Sequence, residues 1–220
     1  ALGLALDHQA KRRADPNASL RIGVIGLGAG MVASLGRQGD HMTYYELNPA
    51  ALDLARRRFT FLQESKAQTI VRLGDARLVM ERQLVAGENQ SFDVLVMNAF
   101  RGASPPLHLM TREAFETYLG HLADDGVLAI NFELDTFEMA PLHRGMAQAF
   151  KLELGWFETK TSEDCAQPIS WALYSRDREF FEAPEVKGAI SQWRDGGASQ
   201  LVWTDKSSNL MSILNWGSQP

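Results

Sequence analysis

Leu20-Arg21-Ile22-Gly23-Val24-Ile25-Gly26-Leu27-Gly28-Ala29-Gly30 decides the fold. Residues 20–25 form a short apolar run of strand length, and glycines follow it at alternate positions. Glycine at this density serves a chain that must turn sharply or let another group approach its backbone. The run reads as a buried strand, the glycines as a turn, and residues 31–37 as a short helix behind it. A dinucleotide fingerprint would need Gly-x-Gly-x-x-Gly. The position three after Gly28 is Met31, so the spacing here is Gly-x-Gly-x-Gly instead.

Outward from this point, strand-like and helix-like segments alternate. Residues 2–14 read as a helix, broken by Asp15, Pro16 and Asn17. Residues 41–47 form the second strand, with Asn48 as an N-cap and Pro49 opening a helix to about Arg58. Strands are expected over 68–73, 92–97 and 127–132, and helices over 75–86, 111–121 and 141–150. A Gly/Pro-bearing loop spans 99–107, and Asp124 to Gly126 reads as a turn. Segments 152–160 and 169–175 are strands joined by a loop too short for a crossover helix, so they run antiparallel. A helix over 184–194, an apolar segment 201–203 and a final helix over 208–216 complete the chain. The expected fold is α/β and Rossmann-like: a mainly parallel seven-stranded sheet with an antiparallel edge, and helices on both faces. No linker divides residues 1–220, so a single domain is expected.

Composition removes several classes of function. The 220 residues are 45% hydrophobic and 22% charged, an ordinary globular balance. With 22 basic and 27 acidic residues the net charge is −5, which does not suit a nucleic-acid partner. One cysteine, Cys165, leaves no internal disulfide framework. His8, His41 and His121 lack metal-ligand spacing, so no metal is expected. No run approaches the roughly 18 apolar residues of a membrane span, and no signal-peptide pattern stands at the start. A cytoplasmic location is the expectation.

The chemistry gathers at strand ends. The Gly26, Gly28, Gly30 spacing favours a site for S-adenosylmethionine (AdoMet), although a tight structural turn would use the same residues. Glu46 ends the second strand, twenty residues after Gly26, where a carboxylate can accept both ribose hydroxyls. Asp75 and Ala76 follow the third strand. Asp75 can accept from an adenine amino group, cap the next helix, or do both. In parallel sheets these ends share one edge, where ligands bind. An antiparallel close also separates class I methyltransferase folds from nicotinamide-binding domains.

Residues 20–150 resemble the spermidine synthase (polyamine aminopropyltransferase) family, in particular its bacterial spermidine synthase-like branch. The resemblance rests on Gly26-Leu27-Gly28-Ala29-Gly30, Tyr44-Tyr45-Glu46-Leu47-Asn48-Pro49 and Leu73-Gly74-Asp75-Ala76-Arg77. It continues in Pro106-Leu107-His108-Leu109-Met110-Thr111-Arg112-Glu113-Ala114-Phe115, Trp203-Thr204-Asp205 and Ser208-Asn209-Leu210. It implies a class I methyltransferase-like core, with AdoMet or decarboxylated AdoMet as co-substrate and a small-molecule acceptor such as an amine. By resemblance Glu46 holds the ribose and Asp75 the adenine end. A homodimer is compatible with it. The family carries a small β-rich segment before this core, which is expected to be absent here. Members of this branch are often fused to transporter-like segments, so the chain is also read as the soluble domain of a membrane-associated protein.

Several positions depart from the family. Spermidine synthases end the fourth strand in an Asp that helps deprotonate the attacking amine, and here that position is Asn98. The Gly-rich loop lacks the family's acidic residue, reading Gly28-Ala29-Gly30, and Arg101 places a cation in the loop after Asn98. A cation there repels a polyamine. The acidic stretch Glu133-Leu134-Asp135-Thr136-Phe137-Glu138 could bind a cationic substrate or supply a base, or be a solvated loop. His108 is either a base or a loop-fixing residue. Asn98, Arg101, His108, Glu133 and Asp135 are therefore the candidates for the reacting centre. His143 and Arg144 read as helix-surface residues, and the five tryptophans as core or pocket wall. The expected activity is that of a spermidine synthase-like transferase with impaired aminopropyl transfer. The alternatives are a small-molecule methyltransferase or a non-catalytic adenosyl-ligand binder.

Overall fold

A computed structural model describes residues 1–12, 18–99, 106–132, 137–158, 170–193 and 199–214. Its centre is a seven-stranded sheet in the order β3-β2-β1-β4-β5-β7-β6. The strands are β1 Arg21–Ile25, β2 His41–Glu46, β3 Gln68–Leu73, β4 Phe92–Met97, β5 Leu122–Phe132, β6 Glu153–Glu158 and β7 Ser170–Ser175. The first five run parallel, while β7 lies antiparallel between β5 and β6. A reversal of order between β1 and β4 places a crevice at the carboxyl edge, the usual ligand position in such sheets.

Helices cover both faces because the strands bury side chains on both. Along β4 the side chains of Leu95 and Met97 join one core and those of Val94 and Val96 the other. The first core is closed by α4 (Ala76–Val85), α5 (Arg112–His121) and α6 (Ala140–Phe150), through Met80, Phe115, Tyr118 and Leu142. The second is closed by α1 (Leu2–Arg12), α2 (Pro49–Arg58), α7 (Arg178–Glu182) and α8 (Pro184–Lys187), through Leu6, Leu52, Phe180 and Val186. Alternation with period two makes this division. The central strand β4 is buried throughout, as a parallel strand covered on both faces must be.

The structure corrects several local expectations. β5 begins at Leu122, so Asp124 to Gly126 is an irregularity inside a strand rather than a turn before it. The excursion is held from outside: Gln9 donates to the Asp125 carbonyl at 2.6 Å and Ser175 to the Gly126 carbonyl at 2.9 Å. The expected helix over 184–194 stops at Lys187, where Gly188 caps it, and Ser191 turns to bond the Trp156 carbonyl. The expected final helix is a 3₁₀ turn over Leu210–Ile213. A one-turn helix, α3 (Phe61–Glu64), precedes β3 without having been expected. His143 is buried, not on the surface, because it faces Phe132, Trp156 and Tyr174 across the sheet. Trp156 and Trp203 are buried core, and Trp171 and Trp193 pack against it. Cys165 and Trp216 lie outside the described residues. Among the described residues no helix is long and apolar enough to cross a membrane.

Candidate functional site

Backbone bonds tie the strand ends together. Gly26 donates to the Tyr45 carbonyl, Gly74 to that of Glu46, and Asn98 to that of Ile25, each at 2.9 Å. Gly26 has φ +88°, and a Cβ there would stand 2.6 Å from the Asn98 carbonyl oxygen. No other residue type fits this crossing without moving β4. At Gly28 a Cβ would meet nothing within 4 Å, because the residue borders open space.

Glu46 is only 9% exposed, and its carboxylate organises the turn. One oxygen accepts from the Leu27 amide at 2.9 Å and the other from the Asn48 amide at 2.8 Å. A carboxylate oxygen has a second acceptor position, so each remains able to take a hydroxyl. Asp75 caps α4 through the Leu78 amide at 3.1 Å. Its other oxygen lies 3.1 Å from His108 Nε2. One oxygen of Asp75 thus caps the helix and the other meets His108 at the rim of the cleft.

These groups line a cleft of about 480 Å³, inside the range of roughly 300–1,000 Å³ typical of small-molecule sites. Of the residues picked out in the sequence, Gly26, Gly28, Glu46, Asp75, Ala76, Asn98 and His108 all border it. Gly30 does not; it turns the chain into a 3₁₀ segment, packed under Leu62. His108 stands at the Asp75 end, against the loop after β3, while Asn98 stands at the end of β4. Arg101, Glu133 and Asp135 lie outside the described residues. Among the described residues no group of three or more His, Cys, Asp or Glu could hold a metal.

Ile25, Tyr45, Leu47, Ala51, Ala99, Pro106 and Leu109 complete the lining; none is among the candidate site residues of the sequence, although Tyr45, Leu47, Pro106 and Leu109 stand in its quoted motifs. Tyr45 donates to Gln83 at 3.0 Å, and burial pushes its phenol up to about 12, so it remains neutral. A further unforeseen pair stands behind the cleft. Arg77 and Asp205, 128 residues apart, form a two-pronged ion pair at 2.5 and 2.7 Å. Hydrogen bonding to Arg77 holds the Asp205 carboxyl down at about 2.

Strand order, the antiparallel β7 and a glycine-rich carboxyl edge define a Rossmann-like class I methyltransferase fold. Within that class the chain resembles the spermidine synthases. It is 34% identical over 140 residues to the polyamine aminopropyltransferase of Vibrio vulnificus (strain CMCP6). That match covers 62% of this chain and 44% of the relative, so the chain spans less than half of that protein's length. A probable spermidine synthase from Corynebacterium glutamicum ATCC 13032 matches in fold with TM-score 0.65 and 20% identity, over 95% of this chain and 81% of the other. Human methyltransferase-like protein 13, solved in complex with SAH, matches with TM-score 0.56 and 18% identity, over 89% and 93%. No protein-family profile matches the chain.

Proposed function

We propose that the cleft binds the adenosyl group of AdoMet or decarboxylated AdoMet, in a spermidine synthase-like transferase domain with weak aminopropyl transfer. The observation that carries this is the convergence of Gly26, Gly28, Glu46 and Asp75 on one cleft beside Asn98. Glu46 holds the ribose hydroxyls and Asp75 the adenine amino group, with Ala76 beside it. The acceptor, a small molecule such as an amine, enters at the end of β4.

In the reaction a lone pair of the acceptor attacks a carbon bonded to the sulfonium. The carbon–sulfur bond breaks, a neutral thioether leaves, and the acceptor loses a proton. The sulfonium is already activated, so positioning supplies much of the rate. What the site lacks is a strong base at the end of β4, because the Asn98 amide takes no proton. Arg101, Glu133 and Asp135 remain the proposed groups around the acceptor, whereas His108, beside Asp75, borders the adenine end.

Calorimetry with AdoMet, decarboxylated AdoMet, methylthioadenosine and S-adenosylhomocysteine tests the binding. At least one is expected to bind, and silence across all four refutes the reading. Asn98 also favours a second reading, a small-molecule methyltransferase, which needs no polyamine carboxylate. Products separate them: methylthioadenosine marks aminopropyl transfer, S-adenosylhomocysteine marks methyl transfer, and neither marks a non-catalytic binder.

A further inference from the structure

We propose that Arg77 is a positioning residue for the base-binding end of the cleft, anchored through Asp205 by the C-terminal segment 199–214. The proposal rests on the adenosyl reading of the cleft. Two walls meet at that end. One is the start of α4, carrying Asp75 and Ala76; the other is the 3₁₀ turn Leu107–Leu109, carrying His108 and Leu109. The turn lies outside the sheet, so strand pairing does not place it. Its carbonyls are held by side chains: Arg77 donates to His108 at 2.9 Å and Tyr118 to Leu109 at 3.1 Å.

Arg77 reaches all the parts at once. Its Nε donates to Glu81 at 2.7 Å, and Nη1 serves the His108 carbonyl, Thr111 and Asp205. Its Nη2 donates to the second Asp205 oxygen at 2.5 Å. The Arg77 side chain is 11% exposed and that of Asp205 43%, so the guanidinium end of the pair is buried while the carboxylate end meets solvent. A planar fork matched to a carboxylate fixes direction as well as distance, which a lysine does not.

Asp205, and with it the C-terminal segment, is in turn fixed against the start of α5. Its amide donates to Glu113 at 3.0 Å, and Thr111 donates to its carboxylate at 2.8 Å. Trp203 beside it is buried, and its carbonyl accepts from the Arg112 amide at 2.8 Å. The same segment bonds Glu138 through the Ile213 carbonyl, on the chain returning from the end of β5. One C-terminal strap thus holds a wall of the base end and the segment beyond β5 together.

The test compares Asp205→Asn and Arg77→Lys with Ser212→Ala, a change in the same strap that removes a bond to the Trp203 indole. Methylthioadenosine is the probe, because it is uncharged and feels no direct Coulomb effect of the substitutions. Methylthioinosine, which differs at the purine 6-position, reports the fit of the base end. Asp205→Asn and Arg77→Lys are each expected to weaken methylthioadenosine about tenfold and to narrow its preference over the inosine analogue. Amide exchange at Leu109 and Met110 should rise about tenfold in both. Ser212→Ala should lower the melting temperature and leave affinity and preference unchanged. Wild-type-like preference in both Asp205→Asn and Arg77→Lys overturns the proposal. If the unmodified protein binds no adenosyl compound, the reading of the cleft fails on its own. Exchange at Leu109 and Met110 then judges the positioning, and unchanged rates in both variants overturn it.

Discussion

The two sides of the sheet are built differently. From β3 to β4, the groups facing the cleft are set by backbone: glycines at positive φ, carboxylates on amides, strand ends bonded to one another. The outer strand there is left open, with Ile70 56% and Leu73 51% exposed. From β5 to β6, side chains fix the structure. Phe132 and Trp156 stand 4.4 Å apart, Phe115 and Tyr174 5.5 Å, and His143 is enclosed between Phe132 and Tyr174. One side keeps polar atoms available to a ligand; the other buries them, and among the described residues the C-terminal strap ties it to the wall of the cleft. Substitutions should therefore fail differently on the two sides, in binding on the first and in stability on the second.

A pair of glycines gives the strongest contrast. Gly145 on α6 lies against the strap, where an added Cβ would run into the backbone of Leu201. Overpacking typically costs about 1–3 kcal/mol, and backbone that cannot repack places Gly145→Ala near 3 kcal/mol. Denaturant unfolding should show a lowered midpoint with unchanged slope. Gly26→Ala adds about 1–2 kcal/mol of left-handed strain to a clash with the Asn98 carbonyl of the same backbone kind, so it should abolish ligand binding as well as lower stability. Equal binding losses in the two variants would erase the distinction.

Glu46→Ala probes the first side more gently. It removes the two proposed ribose bonds, and adenosyl-ligand affinity should fall by about 1.5–3 kcal/mol in calorimetry. The Leu27 and Asn48 amides also lose their acceptor, so some loss of stability should accompany it. Unaltered affinity would place the ribose elsewhere.

How legible each side was follows from the same difference. Glu46 and Asp75 could be read because strand-end positions are fixed by short segments, and local spacing reports them. Arg77 stands in the quoted motif, but its partner Asp205 comes from the far end of the chain, and no periodicity links them. A histidine within a helix reads as a surface residue, but the burial of His143 on α6 depends on Phe132, Trp156 and Tyr174, from three strands. The Asp-Asp-Gly sequence at 124–126 carried a turn signal that Gln9 and Ser175 override. Local chemistry was readable, and side-chain partners brought in by the fold were not.

His143 also sets a pH dependence on the second side. Burial, with Arg144 adding to it, pushes its imidazole down to about 3 from an ordinary 6.5. The unfolded chain then binds a proton that the native protein refuses, so stability is full above 6.5 and falls as pH drops toward 3. At pH 5 the loss should be about 2 kcal/mol, and His143→Gln should flatten stability between pH 7 and 5. His121, also pushed down by burial, leaves a residual slope. Asp205 acts in a lower window: its stabilisation holds above 3.8 and is lost as pH falls toward 2. Equal slopes with and without His143 would show that its site is wet.

The smallest effect is expected at Asn98, where the two sides meet. Polyamine amines are mostly protonated at neutral pH, since ammonium pKa values lie near ~10. An aminopropyl transferase must hold that cation and remove its proton, and a positioned base is typically worth about 10²–10⁴-fold. Asn98 is exposed at the end of β4 and could carry a carboxylate without repacking. Yet Ala29 also stands where the family has an acidic residue, and Arg101 follows in the next loop. Restoring one group among several should therefore do little. We expect methylthioadenosine release from putrescine and decarboxylated AdoMet to be far below an ordinary ~10 s⁻¹. Asn98→Asp should raise it less than about tenfold, short of the worth of a general base. A rise of about a hundredfold or more would make Asn98 the one missing part. Ordinary turnover by the unmodified protein would show that the proton leaves by another group of the cleft.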